Sequence, residues 1–433
     1  MHPDPTGNSL KGWLAYLEQL HSKTIDLGLE RVDRVRAELG LTPFFPVITV
    51  GGTNGKGSVC AILESILTAA GYRVGCYTSP HLVSFNERIR IQQKEVVDEQ
   101  LLLAFTLIEQ ARKKSGISLT YFEFVTLTAM HLFIAEHVDV AILEVGLGGR
   151  LDAVNIFDAD CAILTSVDLD HQDYLGDSRE AIGYEKAGIF RKNKPAVCAE
   201  VELPAGVKQY AQKINAKLNL IGQDFGFVQK DGQWDFWSQK GWCHTLPLPA
   251  VRGLKQLENA SVCLMTIEML CEQLPVNIQA IRQGLINVLL PGRFQVLSCQ
   301  PMIVLDVAHN PAAALVLAKN LEMTQPSGKT FAIIAMLKDK DISGVIQALK
   351  NHVNVWLLSP IDASRGASTH ELLQNLYKLN ITPDNHIIHE FEDIITAYSF
   401  ACEHADKSDR ICVLGSFYTV GAVLRDQQKV NGQ

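Results

Sequence analysis

The sequence predicts an α/β fold in two parts: a larger N-terminal domain with a mainly parallel sheet, and a smaller, Rossmann-like C-terminal α/β domain. Three observations support this prediction. Strand-like and helix-like segments alternate along the chain, a glycine-rich turn joins an early strand to a helix, and a second alternating series begins near residue 302. The 433 residues, of which 47% are hydrophobic, suffice for two or three domains with substantial cores.

The first element is a β-branched run at residues 47–50, which leads into a glycine-rich turn and then into a predicted helix at 59–67. This layout is typical of a phosphate-binding loop, because glycines let backbone N–H groups converge on phosphate oxygens. Lys56 supplies a positive charge and Ser58 a hydroxyl for Mg²⁺, although Gly57 separates them where the usual motif has them adjacent. We therefore predict a P-loop that binds a ligand with phosphates; an ordinary glycine turn is the alternative.

Further predicted strands end at polar residues and lie at 73–79, 138–143 and 161–167. Ligands of open parallel sheets bind beyond the carboxyl ends of the strands, so we expect Ser58, Ser79, Glu144 and His171 at one edge. An acid at such a position suits Mg²⁺, and the glycines after Glu144 indicate backbone close to a ligand. The role of His171 stays open between structural and functional, because imidazole is an unusual Mg²⁺ ligand.

Lys186 lies in a mostly apolar segment at residues 185–190. Physical reasoning from the sequence favours a lysine whose stem covers apolar surface while its ammonium reaches solvent. The alternative is a lysine close to the nucleotide phosphates that carries a chemical modification.

The pattern changes between residues 200 and 250, where Asp231-Gly232 between two aromatic runs predicts a β-hairpin. A boundary at Pro291-Gly292 divides the chain into a catalytic domain (1–291), an interdomain linker (292–300) and a C-terminal domain (301–433). The second α/β series is predicted to contain strands at 303–305, 331–335, 355–358, 386–389 and 411–414 and helices at 369–379 and 393–404.

A polar cluster follows the first strand of this second series. Asp306, His309 and Asn310 lie beyond the carboxyl end of that strand, where they could reach a nucleotide. Capping of the following helix by Asn310, ahead of Pro311, is an alternative that can hold at the same time.

Composition and charge exclude several classes of protein. The net charge of −8 and the dispersed basic residues argue against broad nucleic-acid binding. No apolar run is long enough for a membrane span, and the first seven residues lack the layout of a signal peptide. The ten cysteines are scattered without a Cys-x-x-Cys pair, which favours reduced thiols in a cytoplasmic protein over disulfides or a zinc site.

Five motifs occur in an order that resembles the bacterial folylpolyglutamate synthase/dihydrofolate synthase family, relatives of the Mur ligases. They are residues 52–58 (GTNGKGS), 78–82 (TSPHL), 144–150 (EVGLGGR), 170–176 (DHQDYLG) and 306–311 (DVAHNP). The resemblance spans nearly the whole chain and is weakest between residues 200 and 250. It implies a cytoplasmic enzyme of folate biosynthesis and one-carbon metabolism.

The activity implied by the resemblance is ATP-dependent ligation of L-glutamate to dihydropteroate and to the glutamate tail of reduced folates (tetrahydrofolates), through an acyl phosphate. ATP and Mg²⁺, the latter in two sites, are the implied cofactors, and we expect a monomer. A monofunctional folylpolyglutamate synthase or dihydrofolate synthase is the alternative within the same class. A nucleotide-binding regulator without ligase activity is a further alternative, disfavoured by the intact motifs. A cell-wall Mur ligase is another, disfavoured by the segments that resemble a pteroate pocket.

The resemblance also implies roles for individual residues. Lys56, His171 and Lys186 take catalytic roles. Lys186 matches a lysine that is carbamylated in the family, where its added carboxylate binds a second Mg²⁺. The implied metal ligands are Ser58, Ser79, Glu144, His171 and Lys186. The implied ATP contacts are Asn54, Gly55, Lys56, Gly57, Ser58, Asn259, Arg293, Asp306 and His309.

The pteroate pocket implied by the resemblance comes from three segments: Asp26, Leu27, Gly28 and Leu29; Thr120, Tyr121, Phe122 and Glu123; and Leu151, Asp152 and Ala153. The first two segments are similar to those of the bifunctional enzymes. One departure is visible, because the family usually has Asp-Ala-Thr-Asn where this chain has Val154 after Ala153. The missing hydroxyl leaves the implied metal ligands intact and affects only fine detail of the implied substrate contacts.

Overall fold

The computed structural model describes residues 9–324 and 328–431, so the N-terminal segment considered for a signal peptide lies outside the described residues. The chain divides into two compact units. The first contains Met1–Pro80, Phe85–Ala250 and Leu257–Val288; the second contains His81–Ser84, Val251–Gln256 and Leu289–Gln433. Within the described ranges, no helix is both long and apolar enough to cross a membrane.

An eight-stranded sheet forms the centre of the first unit. Its strands are β1 (Val47–Gly51), β2 (Val74–Tyr77), β3 (Ile89–Ile91), β4 (Lys94–Glu95), β5 (Val140–Glu144), β6 (Cys161–Leu164), β7 (Pro195–Cys198) and β8 (Lys217–Leu220). The strand order is β4–β3–β2–β5–β1–β6–β7–β8, and all neighbours from β2 to β8 pair in parallel. Strands β3 and β4 add an antiparallel edge. The predicted mainly parallel sheet is therefore confirmed.

Helices cover this sheet, and their bounds are α1 (Leu10–Gln19), α2 (Glu30–Leu39), α3 (Lys56–Ala69), α4 (Asp98–Ser115), α5 (Tyr121–Ala135), α6 (Gln172–Leu175), α7 (Arg179–Ala187), α8 (Ala205–Ile214), α9 (Gln256–Met269) and α10 (Ile278–Asn287). Short 3₁₀ helices occupy Phe85–Arg88 and Ala153–Ile156. Strands β1 and β5 are buried along their whole length, since helices lie on both faces of a parallel sheet. This explains their continuous apolar sequences.

The segment between residues 200 and 250 contains a separate three-stranded antiparallel sheet. Its strands are β9 (Phe225–Lys230), β10 (Gln233–Ser238) and β11 (Gly241–Pro247). Asp231-Gly232 forms the turn between β9 and β10, as the sequence predicts, and Gly232 adopts a φ of 72° that suits such a turn.

The second unit has a six-stranded sheet in the order β12–β13–β17–β14–β15–β16. Its strands are β12 (Gln295–Cys299), β13 (Met302–Asp306), β14 (Thr330–Ile334), β15 (Val355–Leu358), β16 (Ile387–Glu390) and β17 (Arg410–Leu414). Its helices are α11 (Pro311–Met323), α12 (Ile342–Leu349), α13 (Thr369–Lys378), α14 (Ile394–His404) and α15 (Phe417–Asn431), with a 3₁₀ turn at Lys350–His352. The five predicted strands and both predicted helices are present.

Strand β12 is the element that the sequence analysis does not anticipate, because it lies inside the segment predicted as a linker. It pairs antiparallel with β13, whereas all other neighbours in this sheet are parallel. Its sequence, Gln-Val-Leu-Ser-Cys, carries little strand signal by itself. The strand forms because β13 would otherwise leave its backbone N–H and C=O groups unpaired at the sheet edge.

All ten cysteines lie within the described residues, and each is a free thiol. Six of them are buried, namely Cys60, Cys76, Cys161, Cys198, Cys263 and Cys412.

Candidate active site

The phosphate-binding loop connects β1 to α3 and is held in place by the residues that follow β6. The backbone N–H of Asn54 donates to Oγ of Ser166 at 3.0 Å, and the Thr165 hydroxyl donates to the carbonyl of Asn54 at 2.7 Å. The N–H of Thr53 donates to the Ser166 carbonyl at 2.8 Å. Neighbouring parallel strands thus hold the loop at the carboxyl edge of the sheet, where ligands of such folds bind.

Glycines allow this close approach. Gly52 has a φ of +140°, and a Cβ there would stand 1.9 Å from Oγ1 of Thr165. Gly55, at a φ of +93°, lies beside Asn259, whose Oδ1 would be 3.0 Å from a Cβ at position 55. The structure thus places Asn259, from α9, beside the loop. The sequence analysis assigns Asn259 and the loop residues alike to the implied ATP contacts. Gly57 has open space around its Cβ position.

Lys56 and Ser58 lie in the first turn of α3. The Lys56 ammonium donates to the carbonyls of Gly52 and Thr53, at 2.9 and 3.2 Å, so its charge lies within the loop. Ser58 is buried. Because the helix N-terminus is also positive, the loop is suited to an anionic ligand.

Ser79 and Glu144 meet beside this loop. Glu144 ends β5 and is only 5% exposed, and its Oε2 accepts a hydrogen bond from the backbone N–H of Ser79 at 2.9 Å. Strands β2 and β5 pair in parallel with Tyr77 opposite Leu143, so their ends are adjacent. A carboxylate with nearby hydroxyls is the donor chemistry that a hard divalent cation prefers. The predicted oxygen ligands Ser58, Ser79 and Glu144 are of the type that such an ion takes, and their role as ligands stays a prediction.

His171 has a backbone with a φ of 52° immediately before α6, and its backbone N–H donates to Oδ1 of Asp170 at 2.9 Å. Its Nε2 lies 3.9 Å from the same carboxylate oxygen. Across residues 9–324 and 328–431, no three His, Cys, Asp or Glu side chains form a group that could hold a metal. The predicted ligands include only two residues of those types, Glu144 and His171, so the absence of a group of three does not test them. The role of His171 as a metal ligand stays a prediction.

Lys186 is buried near the end of α7, with only 5% exposure. Burial lowers the pKa of its ammonium to about 7; the charge of Lys56 adds to this effect, and Asp170 and Asp152 oppose it. The expectation of a lysine whose ammonium reaches solvent is therefore wrong, because the side chain is enclosed. An amine whose pKa is lowered in this way loses its proton more readily near neutral pH than an exposed lysine does.

The residues assigned to a pteroate pocket are joined by one arginine that the sequence analysis does not single out. Arg31, on α2, contacts Oδ2 of Asp26 at 2.8 Å and Oε1 of Glu123 at 3.1 Å. Glu123 also completes a capping box with Thr120 at the start of α5. Partial burial raises the pKa of Asp26, but His21, Arg31 and Lys23 outweigh it and leave the pKa below its usual value. The first two pocket segments are thus connected.

The third pocket segment connects through the glycine run after Glu144. A Cβ at Gly146 would stand 2.6 Å from the Phe122 ring, so this ring packs directly on the glycine. Asp152 is buried and accepts hydrogen bonds from the N–H groups of Leu147 at 2.8 Å and Val154 at 3.0 Å. Burial raises the pKa of Asp152 to about 6. The hydroxyl-bearing residue that the family usually has would stand at buried Val154.

Within the second unit, the predicted nucleotide contacts also cluster. Asp306 accepts hydrogen bonds from the N–H groups of Phe294 at 2.9 Å and Ala308 at 2.8 Å, and burial raises its pKa while Arg293 lowers it. The Arg293 guanidinium lies 5.1 Å from the Phe417 ring centre, and the His309 ring lies 6.2 Å from it.

Asn310 caps α11 by accepting the N–H of Ala313 at 2.9 Å, which is the capping role that the sequence analysis considers for it. Nucleotide contact by Arg293, Asp306 and His309 stays a prediction.

Four residues that contact predicted site residues or their sequence neighbours are absent from the sequence analysis: Arg31, Thr165, Ser166 and Arg90. Thr165 and Ser166 follow a predicted strand directly, so their position at a strand end is the signal that indicates them. The arginines contact acids far away in the sequence, Glu123 and Glu64. Glu64 stands inside an apolar helical run, and a charge in such a run indicates a buried partner.

Two family descriptions match the chain. The Mur ligase middle domain matches residues 50–240, and the glutamate ligase domain of Mur ligases matches residues 292–417. The dihydrofolate synthase/folylpolyglutamate synthase of Escherichia coli is 46% identical over 416 residues, covering 96% of this chain and 94% of that protein. The protein of the same name from Haemophilus influenzae is 41% identical and covers 95% of this chain and 96% of its own length.

Solved structures agree with this relationship. Escherichia coli FolC in complex with DHPP and ADP has a TM-score of 0.93 and 45% identity, over 99% of this chain and 100% of that chain. The bifunctional folylpolyglutamate synthase/dihydrofolate synthase of Yersinia pestis, complexed with AMPPNP and Mn ion, has a TM-score of 0.91 and 44% identity, over 99% and 100%.

Proposed function

The chain belongs to the Mur ligase family, and from this premise we infer that it is an ATP-dependent, ADP-forming ligase that attaches L-glutamate through an amide bond. It joins glutamate to dihydropteroate, giving dihydrofolate, and to the glutamate tail of reduced folates. The observation that carries this inference is the phosphate loop at the end of β1 beside the Ser79–Glu144 contact at 2.9 Å, on a chain with full-length bifunctional relatives.

The reaction has two steps. A carboxylate oxygen of the pteroate or folate attacks the γ-phosphorus of ATP, the bond to the β-phosphate oxygen breaks, and ADP leaves. The product is an acyl phosphate. The amine of glutamate then attacks its carbonyl carbon, phosphate leaves, and the amine loses a proton to give the amide.

The residues around the phosphate loop suit the first step because both reactants are anions. The loop N–H groups, the α3 N-terminus and the Lys56 ammonium supply positive charge where the phosphates would lie. We propose that Ser58, Ser79, Glu144 and His171 hold the divalent ion. When bound, this ion offsets phosphate charge and orients the γ-phosphate.

Lys186 suits carbamylation, as the resemblance implies. Its amine would add to the carbon of CO₂ and lose a proton, leaving a carbamate whose two oxygens could ligate a second cation. A pKa of about 7 supports this proposal, since only the unprotonated amine reacts. The new negative charge would also lie near Lys56, which removes the repulsion between the two lysines.

The pteroate pocket is proposed at the three connected segments around Arg31, Phe122 and Asp152. The Phe122 ring offers an aromatic face next to a glycine backbone, and Tyr77 lies 5.8 Å from it. The buried Asp152 carboxyl, which accepts hydrogen bonds from two backbone N–H groups, is a polar group that suits a flat, hydrogen-bonding ring.

Domain organisation and assembly are proposed along the same lines. The separate family matches at 50–240 and 292–417 support a division into two domains near residue 291. The segment 292–300, predicted as a linker between domains 1–291 and 301–433, contributes β12 to the second sheet. We also propose that the chain acts as a monomer.

An assay of the purified full-length chain tests this function. The protein receives ATP, Mg²⁺ and L-glutamate with either dihydropteroate or tetrahydrofolate, and products are identified by mass spectrometry alongside ADP release. We expect a glutamylated product from each substrate and none from Lys56→Ala.

The other outcomes identify the alternatives. Product from only one substrate makes the enzyme a monofunctional synthase. Nucleotide binding without any product would indicate a regulator, and turnover of UDP-muramyl substrates a cell-wall ligase.

A further inference from the structure

Helix α3 carries a charged side chain in its buried face. Glu64 lies eight residues after Lys56, is only 3% exposed, and sits in an apolar run. Its carboxylate is paired with Arg90 from β3, through Nε at 3.0 Å and Nη2 at 2.7 Å. A buried carboxylate without such a partner would be strongly destabilising, so the two residues form a unit.

The Arg90 guanidinium does more than neutralise Glu64, because all five of its N–H donors have acceptors. Besides the contacts to Glu64, Nη2 donates to Sγ of Cys76 at 3.3 Å. Nη1 donates to Oγ1 of Thr78 at 3.1 Å and to the carbonyl of Glu87 at 2.8 Å. One planar group therefore contacts α3, strand β2, the residue after β2 and the 3₁₀ helix Phe85–Arg88.

Thr78 directly precedes Ser79, a proposed metal ligand. The backbone N–H of Ser79 is held by Glu144, and Thr78 is held by Arg90 through its hydroxyl and by the Arg88 carbonyl through its N–H at 2.9 Å. Helix α3 carries Lys56 and Ser58 at its N-terminus. Arg90 therefore links the two segments that bear the Ser58 and Ser79 hydroxyls.

We propose that Arg90 is a positioning residue for the metal–nucleotide site, and that it fixes Ser79 relative to the phosphate-binding helix. The proposal rests on the ligase function proposed above. A purely structural ion pair can often be replaced by apolar residues at little cost to stability. The arrangement here differs, because three of the five Arg90 N–H donors contact Cys76, Thr78 and Glu87 rather than Glu64. Cys76 and Thr78 lie just before Ser79 in the chain.

The test is the Mg²⁺ dependence of ligase activity in Arg90→Lys. Lysine keeps the charge but cannot reach all of these acceptors with one planar group. We expect the Mg²⁺ concentration for half-maximal activity to rise about tenfold or more, as when residues that orient metal ligands are replaced. The KM for dihydropteroate should stay within about twofold, since Arg90 contacts none of the proposed pteroate residues.

Arg112→Lys is the matched control. Arg112 makes a similar two-point contact with buried Glu109, at 2.7 and 2.8 Å, on α4. We expect this variant to lower the thermal unfolding temperature without changing the Mg²⁺ requirement. A second variant, Glu64→Leu/Arg90→Met, removes both charges together and replaces the lysine variant if that one does not fold.

Failure of the positioning role and failure of the proposed ligase function give different results. If the folded Arg90 variants need no more Mg²⁺ than wild type, the positioning role is refuted. If the wild type forms no glutamylated product, the proposed function fails instead, and Mg²⁺-dependent binding of a fluorescent ATP analogue then compares the same variants. Equal Mg²⁺ dependence in that assay also refutes the role, and weaker Mg²⁺-dependent binding supports it.

Discussion

Gly149 packs directly on the backbone of Lys186: a Cβ at position 149 would stand 2.7 Å from the Lys186 carbonyl oxygen. The N–H of Arg150 also donates to the Glu185 carbonyl, at 2.7 Å. The glycine run after Glu144 and the end of α7 are therefore held together. This contact explains why glycine is needed at position 149. It also holds in place the backbone of Lys186, which carries the buried amine.

Lys186→Ala should lose most ligase activity, because no side chain remains to carry the proposed carbamate. Small carboxylic acids such as formate or acetate should partly restore the activity, since they can supply the missing oxygens. Activity is measured with and without the acid, and Lys192→Ala, at an exposed position, serves as control. Wild-type activity in Lys186→Ala, or an unmodified lysine at this position in a high-resolution electron-density map, contradicts the carbamate.

Lys186 should also make stability depend on pH. Burial lowers its folded pKa from 10.5 to about 7, so between these values the unfolded chain binds more protons than the folded one. The free energy of unfolding therefore rises with pH across this window. In CO₂-free buffer, Lys186→Met should be more stable than wild type at pH 6, and the difference should shrink by pH 9. Denaturant unfolding at both pH values measures this, and parallel profiles would show that the amine is not desolvated.

Lys56→Ala should abolish ligation, since it removes the charge that faces the phosphates. Removal of one such group is expected to lower kcat by at least about 10²–10³-fold, which takes product formation below detection in the assay. Steady-state rates with saturating dihydropteroate measure the effect, and Lys94→Ala, exposed on β4, is the control. Retention of most of the activity would exclude the loop from catalysis.

Gly52→Ala should disrupt the phosphate loop. Its Cβ would meet Oγ1 of Thr165 at 1.9 Å, in addition to the strain of a φ of +140°. Gly71→Ala is the matched control, because Gly71 has a φ of +95° but open space around it. The control should cost about 1–3 kcal/mol in unfolding free energy from the backbone alone. Gly52→Ala should cost more and should also weaken ATP binding; equal effects of the two variants on both quantities would argue against the close contact.

Arg31→Lys should raise the KM for dihydropteroate about tenfold while leaving the KM for ATP unchanged. The physical reason is the loss of one guanidinium that contacts both Asp26 and Glu123, and charged hydrogen bonds contribute about 1.5–3 kcal/mol. Arg36→Lys is the control, since Arg36 lies on the same helix and pairs with exposed Asp33. A parallel rise in both KM values would show a general structural effect.

Much of the fold follows from local pattern. Strands such as β1 and β5 are continuous apolar runs because a parallel sheet is buried on both faces, and the hairpin at Asp231-Gly232 follows from turn chemistry. Strand β12 was not predictable in the same way, since it forms against the open edge of β13. The prediction that the Lys186 ammonium reaches solvent is wrong. The sequence around Lys186 shows apolar neighbours, but it does not show that α7 and the glycine run enclose the side chain.

Local pattern is enough to predict the fold class, the phosphate loop and the family, because glycines, Lys56 and strand-end acids are needed at fixed local spacing. The contacts between distant groups follow from tertiary packing instead: Thr165 and Ser166 on the loop, Asn259 beside Gly55, and Arg90 on Glu64. Hydrogen bonds and ion pairs act over a few ångströms whatever the separation along the chain. Their partners are therefore set by strand order and helix packing, which local sequence pattern does not specify.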